Sequence, residues 1–125
     1  MAGIAFSHGL TADVQTQFNP KTDADAICLD TNTRLLAAKD AAAKLRIIAK
    51  RIVAAKPDWI YKKTDSVLRG NIAAELHTLL EVTARTRAIF IPANPSRKRV
   101  IRGGNYFIEE TPLHKTDFAD DPHHP

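Results

Sequence analysis

Between Asp25 and Pro92 the chain alternates short apolar runs with two long segments of helical period, and this alternation narrows the fold more than any other feature. Asp25 to Asp30 (DAICLD) carries Ala26, Ile27, Cys28 and Leu29 without interruption, the pattern of a strand buried on both faces. Leu35 to Ala55 places Ala41, Leu45, Ile48 and Ile52 at helical spacing, with Lys44, Arg46, Lys50 and Arg51 between them. The segment is rich in alanine, and Pro57 stops it. Asp58-Trp59-Ile60-Tyr61 then predicts a strand over 58–62, and Ile72, Leu76, Leu79 and Leu80 mark one face of a helix over 67–83. Arg87 to Pro92 (RAIFIP) predicts another buried strand, and Thr11 to Phe18 a weaker one ahead of the series. Strands and helices in this order imply an α/β fold: a three-layer sandwich with a mainly parallel sheet and right-handed crossovers.

The last third changes character. Val100-Ile101-Arg102, Gly103-Gly104-Asn105 and Tyr106-Phe107-Ile108 predict a C-terminal β-hairpin whose turn can supply positive φ. A polar tail follows from Thr111 to Pro125. The 125 residues suit one domain, divided into a parallel α/β part over 1–92 and a hairpin with tail over 93–125. No apolar run approaches the ~20 residues that a membrane helix needs. Met1 to Phe6 has neither the charge nor the length of a secretory signal. Cys28 stands alone, which excludes an internal disulfide and a cysteine-cluster zinc site. The expectation is a soluble, cytoplasmic protein. Its 18 basic against 14 acidic residues give a net charge of +4, a mild preference for anions and nothing more specific.

In open parallel sheets ligands bind beyond the carboxyl ends of the strands. Two loops in that position are unusually polar. The first is Asp30-Thr31-Asn32-Thr33-Arg34, and the second runs from Lys62 to Asn71 (KKTDSVLRGN). Thr64, Asp65 and Ser66 stand where a helix is expected to begin, so free amides there could hold an anion, with Lys63 and Arg69 on either side. Asp65 or Ser66 could equally be a plain N-cap. Arg34 is unfavourable at a helix N-terminus unless an anion, a ligand carboxylate or Asp30, lies beside it. Gly70 in a first helical turn implies close backbone approach. His123-His124 resembles a metal pair but reads as a terminal tail, and His8, His77 and His114 have no ligand spacing. Cys28 reads as inert core, and Ser66 has no His–Asp partners. Neither G-x-x-x-x-G-K-[ST] nor G-x-G-x-x-G occurs, so neither familiar nucleotide loop is present.

Tyr61 to Leu76 (YKKTDSVLRGNIAAEL) resembles the signature of the four-carbon acid sugar kinase family, in its N-terminal sugar-binding domain. Asp30 to Arg34 resembles that family's D-T-x-[ST]-R segment, and Pro92 to Ser96, the hairpin and Pro112 to Pro122 extend the likeness over nearly the whole chain. The resemblance implies a kinase that transfers the γ-phosphoryl of ATP, with Mg2+, to a hydroxyl of threonate, erythronate or an oxo-tetronate. It implies that Arg34, Asp65, Ser66, Val67 and Leu68 contact the sugar acid, with Lys63 and Arg69 as supporting charges. Arg34 can hold a carboxylate through two parallel hydrogen bonds, and the turn can hold hydroxyls.

Three departures from the family pattern bear on these expectations. Its opening Asp-Asp-Leu-Thr-Gly strand has no counterpart, and Met1 to Phe6 resembles the middle of the helix that follows it. Its C-terminal nucleotide-binding domain has none either, so the chain is expected to lack a nucleotide site, to be inactive alone, and to offer an open sheet edge for self-association. At Lys98 the family usually has Gly. The alternative is a nucleic-acid-binding module built on Arg97, Lys98, Arg99 and Arg102, for which only Tyr106 and Phe107 offer stacking surfaces.

Overall fold

The structure is a computed structural model, and it describes residues 1–121. Helix α1 (Ala2–Ser7) leads into strand β1 (Ala12–Gln15), which pairs in parallel with β2 (Ala26–Leu29) in the register Ala12↔Ala26 to Gln15↔Leu29. Asp25 locks the entry to this pair: its Oδ2 accepts from Thr11 N at 2.8 Å and Thr11 Oγ1 at 2.7 Å. Helix α1 packs on both strands.

Helix α2 (Ala38–Ala54) buries Ala41, Leu45 and Ala49, one residue per turn, against α3 (Ile72–Val82). It ends before Pro57, with Lys56 at φ 53°. Small side chains on α2 allow close approach, and α3 answers with Glu75 and Thr78 as its buried residues. The leucine face expected of α3 is only half-buried. An ion pair between Arg46 and Glu81 closes the far end of the helix pair. The hairpin forms as expected: β3 (Arg99–Arg102) and β4 (Asn105–Ile108) are antiparallel, and β5 (Thr111–Pro112) adds to β4. Tyr106 is buried, and its hydroxyl donates to the Ser66 carbonyl at 2.8 Å, which seats the hairpin on the second polar loop.

The α/β class is as expected, but the parallel sheet is smaller. Among the described residues it holds two strands, and neither 58–62 nor 87–92 joins a ladder. A strand is a property of a pair, and among the described residues these segments have no ladder partner. Trp59 and Ile89 are each 90% exposed, so composition there signals strand-forming residues without a sheet to enter. For the same reason β2, paired on one side, is half-buried along its length instead of fully buried, and Cys28 is a half-buried free thiol. The helix expected over 67–83 starts only at Ile72, because Leu68 (φ 64°) and Gly70 (φ 91°) are left-handed and cannot propagate it. Lys98, where a glycine was expected, sits at φ 53°. His123 and His124 lie outside the described residues.

Candidate functional site

The two polar loops meet over the start of α3 and enclose a cavity of about 360 Å3, a size suited to a small ligand. Asp30 to Leu35 form one wall, Lys62 to Asp65 another, and Arg69 to Ile72 with Glu75 the floor. Asn71 ties the floor to the first loop. Its side-chain amide donates to the carbonyls of Thr33 at 3.2 Å and Leu36 at 2.8 Å. Gly70 permits the same closeness, since a Cβ there would stand 3.0 Å from Cγ of Arg34.

Asp65 is the electrostatic hub. Its carboxylate accepts from Arg69 Nε at 2.9 Å and Nη2 at 3.0 Å, and its Oδ2 accepts from the Val67 amide at 3.1 Å. The Arg69 hydrogen bonds hold its carboxyl at about 2, below the ordinary 3.8, against an opposing push from burial. The pairing also pushes the Arg69 guanidinium further up. Arg69 reaches on to Asp121 at 2.7 Å and lies over the Phe118 ring, so it fastens the C-terminal segment to the site. Arg34 is freer. Its Nη1 lies 3.4 Å from Asp65 Oδ1, and its side chain is 50% exposed.

Of the residues singled out from sequence, Arg34, Lys63, Asp65 and Arg69 line the cavity, and Ser66, Val67 and Leu68 do not. Val67 is 1% exposed and belongs to the core. Ser66 is exposed and offers its carbonyl to Arg99 and Tyr106. Lys63 donates to the neighbouring Thr64 carbonyl. The helix-terminus anion site does not form, because α3 is capped at Asn71 and the Asp65 turn lies a full loop ahead of it. Nor does Asp65 or Ser66 cap that helix. Likewise α2 begins at Ala38, so Arg34 stands clear of its N-terminus, and the helix-dipole argument for an anion there lapses.

Sequence reasoning missed a second polar cluster. Glu75, buried inside α3, accepts from the Thr33 hydroxyl and pairs with Lys62 Nζ at 2.6 Å. The signal was available: a carboxylate one turn into a helix, in line with the leucine face, demands a buried partner. On the hairpin, Lys98 pairs with Glu109, Arg102 pairs with Glu110 and lies over Phe107, and Arg99 donates to Ser66. Lys98 and Arg102 thus meet carboxylates within the hairpin, whereas among the described residues no ion pair is recorded for Arg97 or Arg99.

Known proteins resemble the chain in sequence and in fold. A family described as sugar-binding N-terminal domain matches residues 1–125. Among similar proteins, a D-erythronate kinase of Heliobacterium modesticaldum is 32% identical over 102 residues, which are 81% of this chain and 23% of the relative. A D-threonate kinase of Bordetella bronchiseptica is 37% identical over 100 residues, 79% of this chain and 25% of the relative. A D-threonate kinase of Salmonella typhimurium is 32% identical over 114 residues, 85% of this chain and 25% of the relative. The chain thus spans about a quarter of the length of these kinases. A crystal structure of a domain of unknown function from Bordetella bronchiseptica, with bound citrate and as a domain-swapped dimer, superposes with a TM-score of 0.86 at 31% identity. That superposition covers 99% of this chain and 34% of the other. With the family matched over its whole length, the chain belongs to the sugar-binding N-terminal domains.

Proposed function

We propose that this chain is the sugar-acid-binding part of an ATP-dependent kinase acting on four-carbon acids such as D-threonate, D-erythronate or an oxo-tetronate. The carrying observation is the cavity between the two polar loops, where half-exposed Arg34 has one long polar contact among the described residues and Asp65 is fixed by Arg69. Arg34 receives the ligand carboxylate as a two-pronged pair, and the loop side chains Lys63 and Asp65 receive hydroxyls. Ser66, Val67, Leu68 and Arg69 shape the turn that carries Asp65. The similarity to D-threonate and D-erythronate kinases supports the substrate class.

The division of labour follows the same reading: residues 1–92 carry the acceptor site, and 93–125 brace it through Tyr106 and Asp121. Among the described residues no group of three His, Cys, Asp or Glu side chains could hold a metal ion. On this reading ATP and Mg2+ belong to the nucleotide-binding domain of the intact kinase, which works in the cytoplasm. Among the described residues no helix is long and apolar enough to cross a membrane. Phosphoryl transfer depends on aligned donor, acceptor and compensating charge, so this chain alone turns nothing over. The strand-like segments around Trp59 and Ile89, without ladder partners, favour self-association, and the similar citrate-bound domain is a swapped dimer.

Calorimetric titration with D-threonate and D-erythronate tests the reading. Binding by the parent chain, weakened about tenfold to a hundredfold by Arg34→Ala, is expected from loss of a charged hydrogen bond. Absence of binding to every four-carbon acid, or an unchanged affinity in the variant, would refute it. ADP release by the purified chain should stay at background, and sedimentation should show dimers.

A further inference from the structure

Lys62 was not singled out by its sequence, yet it lines the cavity and is held there by two partners. Its ammonium has three N–H donors. One meets Glu75 Oε2 at 2.6 Å and a second the Lys63 carbonyl at 3.2 Å. Among the described residues no acceptor is recorded for the third, and the side chain, 26% exposed, lines the cavity wall. Glu75 is itself immobilised: its side chain is 6% exposed, it sits on α3, and its other oxygen accepts from buried Thr33. A long, flexible lysine is thereby held in place by a partner that cannot move.

We infer that Lys62 is a ligand-contacting residue of this site, donating its third N–H to a hydroxyl oxygen of the bound acid, with Glu75 as the residue that positions it. The inference rests on the proposed sugar-acid reading and adds a specificity element to it. The choice of hydroxyl over carboxylate follows from charge. Lys62 and Glu75 form a neutral pair, and a ligand carboxylate at Lys62 would stand close to the Glu75 carboxylate and be repelled. Arg34, exposed and weakly engaged with Asp65, carries the uncompensated charge that an acid group seeks. One end of the ligand is read as an anion and the other as an alcohol. Simple carboxylic acids of the same length, without hydroxyls, leave the third donor unpaired, which disfavours them.

The test uses the parent chain, Lys62→Met and the double variant Lys62→Met/Glu75→Gln, each titrated with D-threonate and its three monodeoxy analogues below its melting temperature. Removing the ammonium alone leaves Glu75 buried without its cation, so Lys62→Met is less stable. The double variant removes both charges and recovers part of that stability. The expected result is D-threonate affinity about tenfold or more below the parent in both variants, despite the recovered melting temperature of the double. One monodeoxy acid should bind all three proteins alike, because it lacks the contacted hydroxyl. Affinity that returns with stability in the double variant would overturn the inference, since Lys62 would then act only through the fold. So would an affinity equal to the parent's in Lys62→Met. No binding of D-threonate by the parent would overturn the sugar-acid reading itself, and this inference with it.

Discussion

Neutralising Glu75 should cost this chain a large share of its stability. The Glu75 carboxylate has two partners, the Lys62 ammonium at 2.6 Å and the Thr33 hydroxyl, and its side chain is almost wholly buried. Glu75→Gln keeps the shape and one acceptor oxygen but presents an amide to a cation. Breaking a fully buried ion pair on one side costs about 3–5 kcal/mol. Lys62 is partly exposed and can swing its ammonium toward water, which lowers the figure to about 2–3 kcal/mol. A domain of this size moves roughly 3–5 °C per kcal/mol, so the melting temperature should fall by roughly 10 °C. Adding Lys62→Met should return part of the loss, because no charge is then left unpaired. Differential scanning calorimetry on the two single variants, the double and the parent gives the coupling directly. A drop below about 2 °C for Glu75→Gln, or a coupling near zero in the cycle, would refute the pairing as a structural element.

Other outcomes follow from single observations. Gly70→Ala puts a Cβ 3.0 Å from the Arg34 side chain at φ 91°, so it should cost about 1–3 kcal/mol in urea unfolding and weaken D-threonate binding by displacing Arg34. Equal affinity would show that Arg34 is not held by this contact. The Asp65 carboxyl, held at about 2 in the folded chain against an ordinary 3.8, contributes stability that is fully present above about pH 4 and lost as pH falls through 2. The destabilisation caused by Asp65→Asn should therefore shrink between pH 5 and pH 2, and a gap that stays constant in acid-series unfolding would contradict the Arg69–Asp65 pairing. Lys98→Gly relieves a left-handed backbone at φ 53° and should raise stability by about 0.5 kcal/mol, the strain relief less the entropy a glycine adds to the unfolded chain. A melting temperature below the parent's would count against that strain.

Local signals were read best from the sequence. The alanine-rich period of α2, its stop before Pro57, and the Gly103-Gly104 turn between β3 and β4 each depend on neighbours a few residues away, and each appears where the pattern places it. The two polar loops, with Arg34 and Asp65 in them, were also visible as polar clusters between periodic segments. Everything that depended on a distant partner had to wait for the tertiary structure. The runs at 58–62 and 87–92 have strand composition, but composition cannot supply a neighbouring strand, and both lie outside any ladder. The Asp65 turn looked like a helix start because its residues suit one. The left-handed backbone at Leu68 and Gly70 delays α3 to Ile72 and turns the amides to other uses. Above all, Lys62 and Glu75 are unremarkable thirteen residues apart in sequence and decisive 2.6 Å apart in space. Periodicity tells which face of a helix turns inward, but the charge a buried carboxylate meets there is set by whichever loop the fold lays across it.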